Sequence, residues 1–355
     1  MVMRVFRREH LLRQNLVAAA AVLLMSCRSK SMLDEVEEEH AKKEQAHVKS
    51  TENLVVSAAP AANAAAPDGA AARCETVGQL SKWRYGLSAT TLSRGRVVFV
   101  GGRRSDAGAS LRDVDILSED GRHLSAGPPL LHPRAGHTAV ALFDKKTGPS
   151  LLVVGGGIAA LERLDLARNK FVAAGAMKRP LTQVLATSSL GDAVLVGGDL
   201  GHKGALSPAV TRWRAKNALQ PLKELSAGRS GGWPLRLDDA NFVIWGGLDA
   251  ELNVPADIEY RAATAEFVPY VGTLPALSAM HVPSLPKDEL LAVDAGVVVT
   301  ERDVYTFSAG SWNKVVSANL AHTGGAAAVI SLSPLKVVFA GGTSPAAAAV
   351  EVCMR

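Results

Sequence analysis

The chain of 355 residues predicts an all-β fold: a six-bladed β-propeller whose last blade is closed by an N-terminal strand. Three observations lead there. A short apolar strand running into paired small residues returns six times at a spacing near fifty. A second strand with alternating apolar positions keeps the same phase. The array also ends one strand short, and it begins with a strand that has no blade of its own.

The first signature is Arg96–Val100 before Gly101-Gly102, Leu151–Val154 before Gly155-Gly156 and Asp192–Val196 before Gly197-Gly198. It continues with Asn241–Trp245 before Gly246-Gly247 and Lys336–Ala340 before Gly341-Gly342. In the fifth unit, Leu290–Val293 is expected to be this strand, with Asp294-Ala295 in the glycine slots. The paired glycines have a packing explanation: a tight turn or a close pass by a neighbouring backbone.

The alternating strand places Val114/Ile116, Leu164/Leu166, Val210/Arg212, Ile258/Tyr260, Val304/Thr306 and Val350/Val352 in equivalent positions. Arg212 fits poorly, and Trp213 would carry the burial there if the register slips by one. Further on, an apolar residue precedes a polar one by ten: Cys74/Arg84, Leu124/Arg134, Leu219/Arg229 and Trp312/His322. Phe171/Arg179 reads as a pair shortened to eight, and Phe267 stands before Leu277. The stretches after these polar positions, including Ser88–Thr90, His137–Val140 and Ala326–Ile330, suit inner strands crowded near an axis. Each unit thus reads as inner, Gly-Gly, alternating and outer strand. A lone sheet of this kind leaves faces and edges bare, so the units stack radially.

Closure follows from the ends. Val350–Arg355 is a third strand without a fourth, and Cys74–Leu80 carries the outer-strand signature alone. Cys74 and Cys353 then fall on adjacent strands, where a disulfide is expected; two buried thiols are the alternative.

The units resemble kelch repeats, as in a bacterial kelch-repeat lipoprotein. Arg134-Ala-Gly-His137 matches the family's turn, Tyr260 and Tyr305 its Tyr strand, and Trp312 its Trp position. The resemblance covers residues 74–355 and speaks for fold rather than function.

Residues 1–26 have the layout of an export signal. Arg4, Arg7, Arg8 and Arg13 precede the apolar run Leu16–Met25. Ten helical residues reach only about 15 Å, half a hydrocarbon core. Leu24-Met25-Ser26-Cys27 resembles a lipoprotein signal, which implies acylation, palmitate included, at Cys27; an ordinary signal peptide or a retained anchor is the alternative. Arg28 after the Cys implies, by the same resemblance, the outer membrane. Residues 27–73 read as a flexible tether, charged at first and then rich in Ala and Pro.

Of the formal charge of +5, the signal segment holds +3, and the remaining +2 gives no footing for nucleic acid. The His spacing offers no metal motif, no glycine run opens a phosphate-binding helix, and no nucleophile elbow occurs. No cofactor or metal is expected. The carboxylates Asp113, Asp115, Glu119 and Asp120 read as a solvated edge and turn. His132, His137 and His322 read as structural. Loops after the Gly-Gly strands carry the candidate ligand-binding residues Arg103, Arg104, Asp106, Asp199, His202, Asp249 and Glu251, with charge added by Lys203 and Arg229. The expectation is a monomeric, membrane-tethered, non-catalytic propeller that binds a protein or glycan partner in the cell envelope. A structural envelope component and a sugar-modifying enzyme such as a mutarotase are the other two readings.

Overall fold

The structure, a computed structural model, describes residues 72–105, 108–144, 148–201, 205–214, 218–270, 290–294, 296–308 and 311–355. Cys27, the expected signal segment and most of the expected tether lie outside these residues. Six four-stranded antiparallel sheets form a six-bladed propeller.

Blade one contains β2 (Ser88–Thr91), β3 (Val97–Val100), β4 (Val114–Leu117) and β5 (Leu124–Ala126), preceded in the chain by β1 (Arg73–Gln79). Blade two contains β6 (His137–Asp144), β7 (Gly148–Gly155), β8 (Ala160–Asp165) and β9 (Lys170–Ala176). Blade three contains β10 (Leu185–Ser189), β11 (Asp192–Val196), β12 (Val210–Arg214) and β13 (Ala218–Pro221). Blade four contains β14 (Trp233–Arg236), β15 (Phe242–Trp245), β16 (Ile258–Arg261) and β17 (Glu266–Pro269). Blade five contains β18 (Leu290–Asp294), β19 (Val297–Thr300), β20 (Asp303–Ser308) and β21 (Ser311–Ser317). In blade six, β22 (Ala326–Leu332), β23 (Leu335–Ala340) and β24 (Ala349–Met354) are completed by β1, which lies against β24.

The second strands are apolar without interruption because both of their faces are covered. Val97 and Phe99 pack toward blade six with Val338 and Val350, while Val98 and Val100 pack toward blade two with Leu151 and Val153. The core therefore sits between sheets, and burial of each such side chain stabilises the ring by about 1.5–3 kcal/mol. Inner strands are also tied sideways. Thr90 Oγ1 donates to Ala139 O at 3.1 Å, Thr91 Oγ1 to Val329 O at 2.8 Å and Ser189 Oγ to Ala240 O at 2.6 Å. Small hydroxyl residues let the strands approach and then satisfy the neighbour's backbone.

Closure is as the ends of the sequence imply. Cys74 pairs with Cys353 in the β1–β24 register, and the two form a disulfide with Cα atoms 4.0 Å apart. Trp213 is buried, with its indole N–H donated to Ala174 O at 2.7 Å, so it carries the burial that Arg212 does not.

Blade five departs from the sequence reading. Leu290–Val293 belongs to the inner strand β18, not to the second strand. The second strand is β19, and Glu301-Arg302 stand where other blades have Gly-Gly. Glu301 caps the next crossing instead: its carboxylate accepts from Thr323 Oγ1 at 2.7 Å and Gly324 N at 3.1 Å.

Candidate functional site

Antiparallel order sorts the loops into two mouths. Turns from first to second and from third to fourth strands lie at one, called here the hairpin mouth. Loops following the second strands, together with the outer-to-inner crossings, lie at the other, the glycine mouth.

The glycine mouth is organised by buried pairs of one basic and one acidic side chain. Arg84 donates to Asp115 Oδ2 at 2.7 Å, Arg134 to Glu162 Oε1 at 3.0 Å, and His322 Nε2 lies 3.2 Å from Glu351 Oε2. All six side chains are essentially inaccessible to water. Each acid also holds the crossing that leads to its partner. Glu162 accepts the N–H groups of Leu131 and His132, at 2.6 and 3.0 Å, and Glu351 those of Asn319 and Leu320, at 3.2 and 3.0 Å. Burial pulls the Arg134 guanidinium below its usual range, and Glu162 opposes that shift. Asp115, read from sequence as part of a solvated edge, is therefore a buried counter-ion. Arg229 likewise lends no charge to a loop: it is buried and donates to the carbonyls of Ile244 and Ala256.

These ties explain the glycines. Gly102 N donates to Arg134 O at 2.7 Å, Gly198 N to Arg229 O at 2.8 Å and Gly342 N to Arg84 O at 2.8 Å. The preceding glycine must then lie flat beneath the next crossing. A Cβ on Gly197 would stand 2.1 Å from Arg229 O, and the residue has φ +63°.

The candidate loop residues Arg103, Arg104, Asp199, Asp249 and Glu251 all lie at the glycine mouth, while Asp106, His202 and Lys203 fall outside the described residues. Two of the carboxylates, Asp199 and Asp249, are used locally, and the two arginines lie against rings. Arg103 and Arg104 stack over Tyr85 and Trp83, 5.4 and 5.1 Å from the ring centroids. Asp199 Oδ1 accepts from Gly201 N at 2.7 Å, and Asp249 Oδ1 from Glu251 N and Asn253 N at 3.0 and 2.8 Å. Glu251 is exposed.

Along the axis, the inner strands of five blades line a cavity of about 740 Å³. Two side chains on its wall, Ser88 Oγ and His137 Nε2, lie 3.0 Å apart. His137 Nδ1 is buried without a hydrogen-bond partner. Burial, with the Arg134 charge adding to it, pushes the imidazole pKa down to about 3. A serine nucleophile would need a carboxylate on His137 Nδ1, and that atom has no hydrogen-bond partner. Among the described residues no three His, Cys, Asp or Glu side chains gather in a metal-binding group.

The hairpin mouth holds what sequence reasoning missed. At the tips of the inner hairpins, Phe143, Leu190, Leu237 and Leu332 are 60%, 70%, 37% and 52% exposed. Three of them sit on consecutive blades that touch: Leu190 N donates to Asp239 O at 2.9 Å, and a Cβ on Gly191 would meet Phe143 O at 3.2 Å. Their intervals of 47, 47 and 95 residues, one, one and two blade lengths, at a turn where polar residues are ordinary, could have flagged them.

The class these features define is a six-bladed β-propeller closed by its two termini in one sheet. No family model matches the chain, and no curated protein matches it significantly.

Proposed function

We propose that this propeller is a non-catalytic binding scaffold of the kelch type, held at the outer membrane of a bacterial envelope through a lipid on Cys27, and that it takes a protein partner at the hairpin mouth. One observation carries the choice of partner: four large apolar side chains, one from each of four blades, stand in water around that mouth. Leu131, Leu248, Leu252 and Val254 are exposed at the glycine mouth too, but three of those share one loop. The hairpin set comes one from each of four blades, and such a spread fits a protein interface better than a hydroxyl-rich glycan. The tether of residues 27–73 would give the scaffold reach. Exposed Arg236 and Asp239 beside Leu237 would supply the polar rim.

Photo-cross-linkers placed at Leu190 and at Glu251 in intact cells test the reading. A discrete protein adduct from position 190, lost in a Phe143→Asp variant of unchanged melting temperature, is the expected result. An adduct from position 251 alone moves the interface to the glycine mouth, and none from either position leaves a structural component as the better account. Palmitate incorporation that persists in a Cys27→Ala variant would remove the lipid anchor from the proposal.

A further inference from the structure

The buried pair of blades one, two and six is absent from blades three and four. Blade four keeps the basic residue, Arg229, whereas blade three lacks both halves and a cavity stands in their place. The equivalence is set by backbone. As Arg134 O accepts a glycine N–H of blade one, Leu181 O accepts Gly157 N of blade two at 2.9 Å. Leu181 also lies ten residues after Phe171, so the spacing of ten holds here without the shortening read from sequence. Arg179, the residue given that role from sequence, is exposed. The acid is replaced too. Asp115, Glu162 and Glu351 pair in register with Phe99, Val153 and Phe339, each two residues before the first glycine. The corresponding partner of Leu195 is Thr211.

The resulting cavity has a volume of about 470 Å³, within the roughly 300–1,000 Å³ of small-molecule sites. Leu181, Val184, Leu195 and Leu219 give it apolar walls. Gly197 and Ala209, equivalents of the two residues whose carbonyls hold Arg134 in blade two, line it as well. Ala209 O accepts one bond already, from Gly197 N at 3.0 Å. The anion's place is different. In blades two and six the N–H groups three and two residues before the basic side chain bond the buried carboxylate. In blade three these belong to Lys178 and Arg179, which line the cavity and have no carboxylate partner among the described residues.

We infer that blade three binds a small organic monocarboxylate with an apolar body, such as a medium-chain fatty acid. Its carboxylate takes the place of the missing acid, against the N–H groups and cationic side chains of Lys178 and Arg179. Its hydrocarbon fills the space that the arginine stem occupies elsewhere. Glu224, also on the lining, disfavours a second negative charge. The site is separate from the hairpin mouth and does not depend on the protein partner proposed there.

Calorimetric titration of the full chain with sodium decanoate, decanol and decylammonium, all below micellar concentration, tests this. Decanoate should bind saturably at one site and at least tenfold tighter than either analogue. Leu181→Arg combined with Thr211→Glu, which rebuilds the pair of blade two, should abolish binding in a folded protein. Arg179→Glu, a surface change, should weaken decanoate at least tenfold, and it decides the matter if the double variant does not fold. Equal binding of decanol, unaltered affinity in either folded variant, or no saturable binding of decanoate would overturn the inference.

Discussion

Removing the Cys74–Cys353 disulfide should lower the melting temperature by about 9 °C. The bond spans a sequence separation of 279, and a loop of that length loses about 5–6 kcal/mol of denatured-state entropy when cross-linked. Unfolding a domain of this size carries a transition entropy of about 0.6 kcal/mol/K, which converts the loss into the stated shift. The Cys74→Ala/Cys353→Ala double variant avoids a stray thiol and leaves the strand pairing of β1 with β24 in place. Scanning calorimetry should place it close to the wild type measured in reductant. A drop below about 3 °C, or two thiols reacting with an alkylating agent in the untreated protein, would refute the reasoning.

Three further outcomes are expected. Glu162→Gln strips the buried Arg134 of its counter-charge and should cost about 3–5 kcal/mol in denaturant unfolding, whereas Glu119→Gln at the exposed Arg96 pair should cost less than 1. Gly197→Ala should destabilise by more than 3 kcal/mol through its clash with Arg229 O, while Gly121→Ala, with φ +73° and open space, should cost about 1. His137 is buried neutral, with a folded pKa of about 3 against 6.5, so the unfolded chain binds the proton first. Its contribution is full above pH 6.5 and is lost as pH falls toward 3, by about 2 kcal/mol between pH 8 and pH 5. The His137→Asn variant should lack that slope in pH-dependent melts.

The ring was legible in sequence because its demands repeat. Five Gly-Gly pairs keep the phase, and at four of them the described residues show the next crossing covering the backbone; the unmatched strands at residues 74 and 353 could only meet. Blade five was misplaced because Glu301 performs by side-chain capping what glycines do elsewhere, and no residue-type pattern links the two solutions. The basic half of each buried tie was visible as the polar position ten residues after an apolar one. Its acidic half was not, since Asp115 and Glu162 look like any carboxylate at the polar phase of a strand until the next layer covers them. Blade three was obscured for the converse reason. Arg179 offered a charge near the expected position, although Leu181 keeps the spacing. The exposed tips Phe143, Leu190, Leu237 and Leu332 keep the blade period, at intervals of 47, 47 and 95 residues, but they fall at the turn between first and second strands, which none of the three strand signatures covers.

The position of the disulfide has a mechanical consequence. An edge strand pulled from its end peels away one hydrogen bond at a time, and β1 begins at Arg73, on the side from which the rest of the chain arrives. Traction entering there meets a covalent bolt after a single residue. Load passes directly into β24 and the sixth sheet, so dragging on the N-terminal side strains the whole ring before it can unzip its seam.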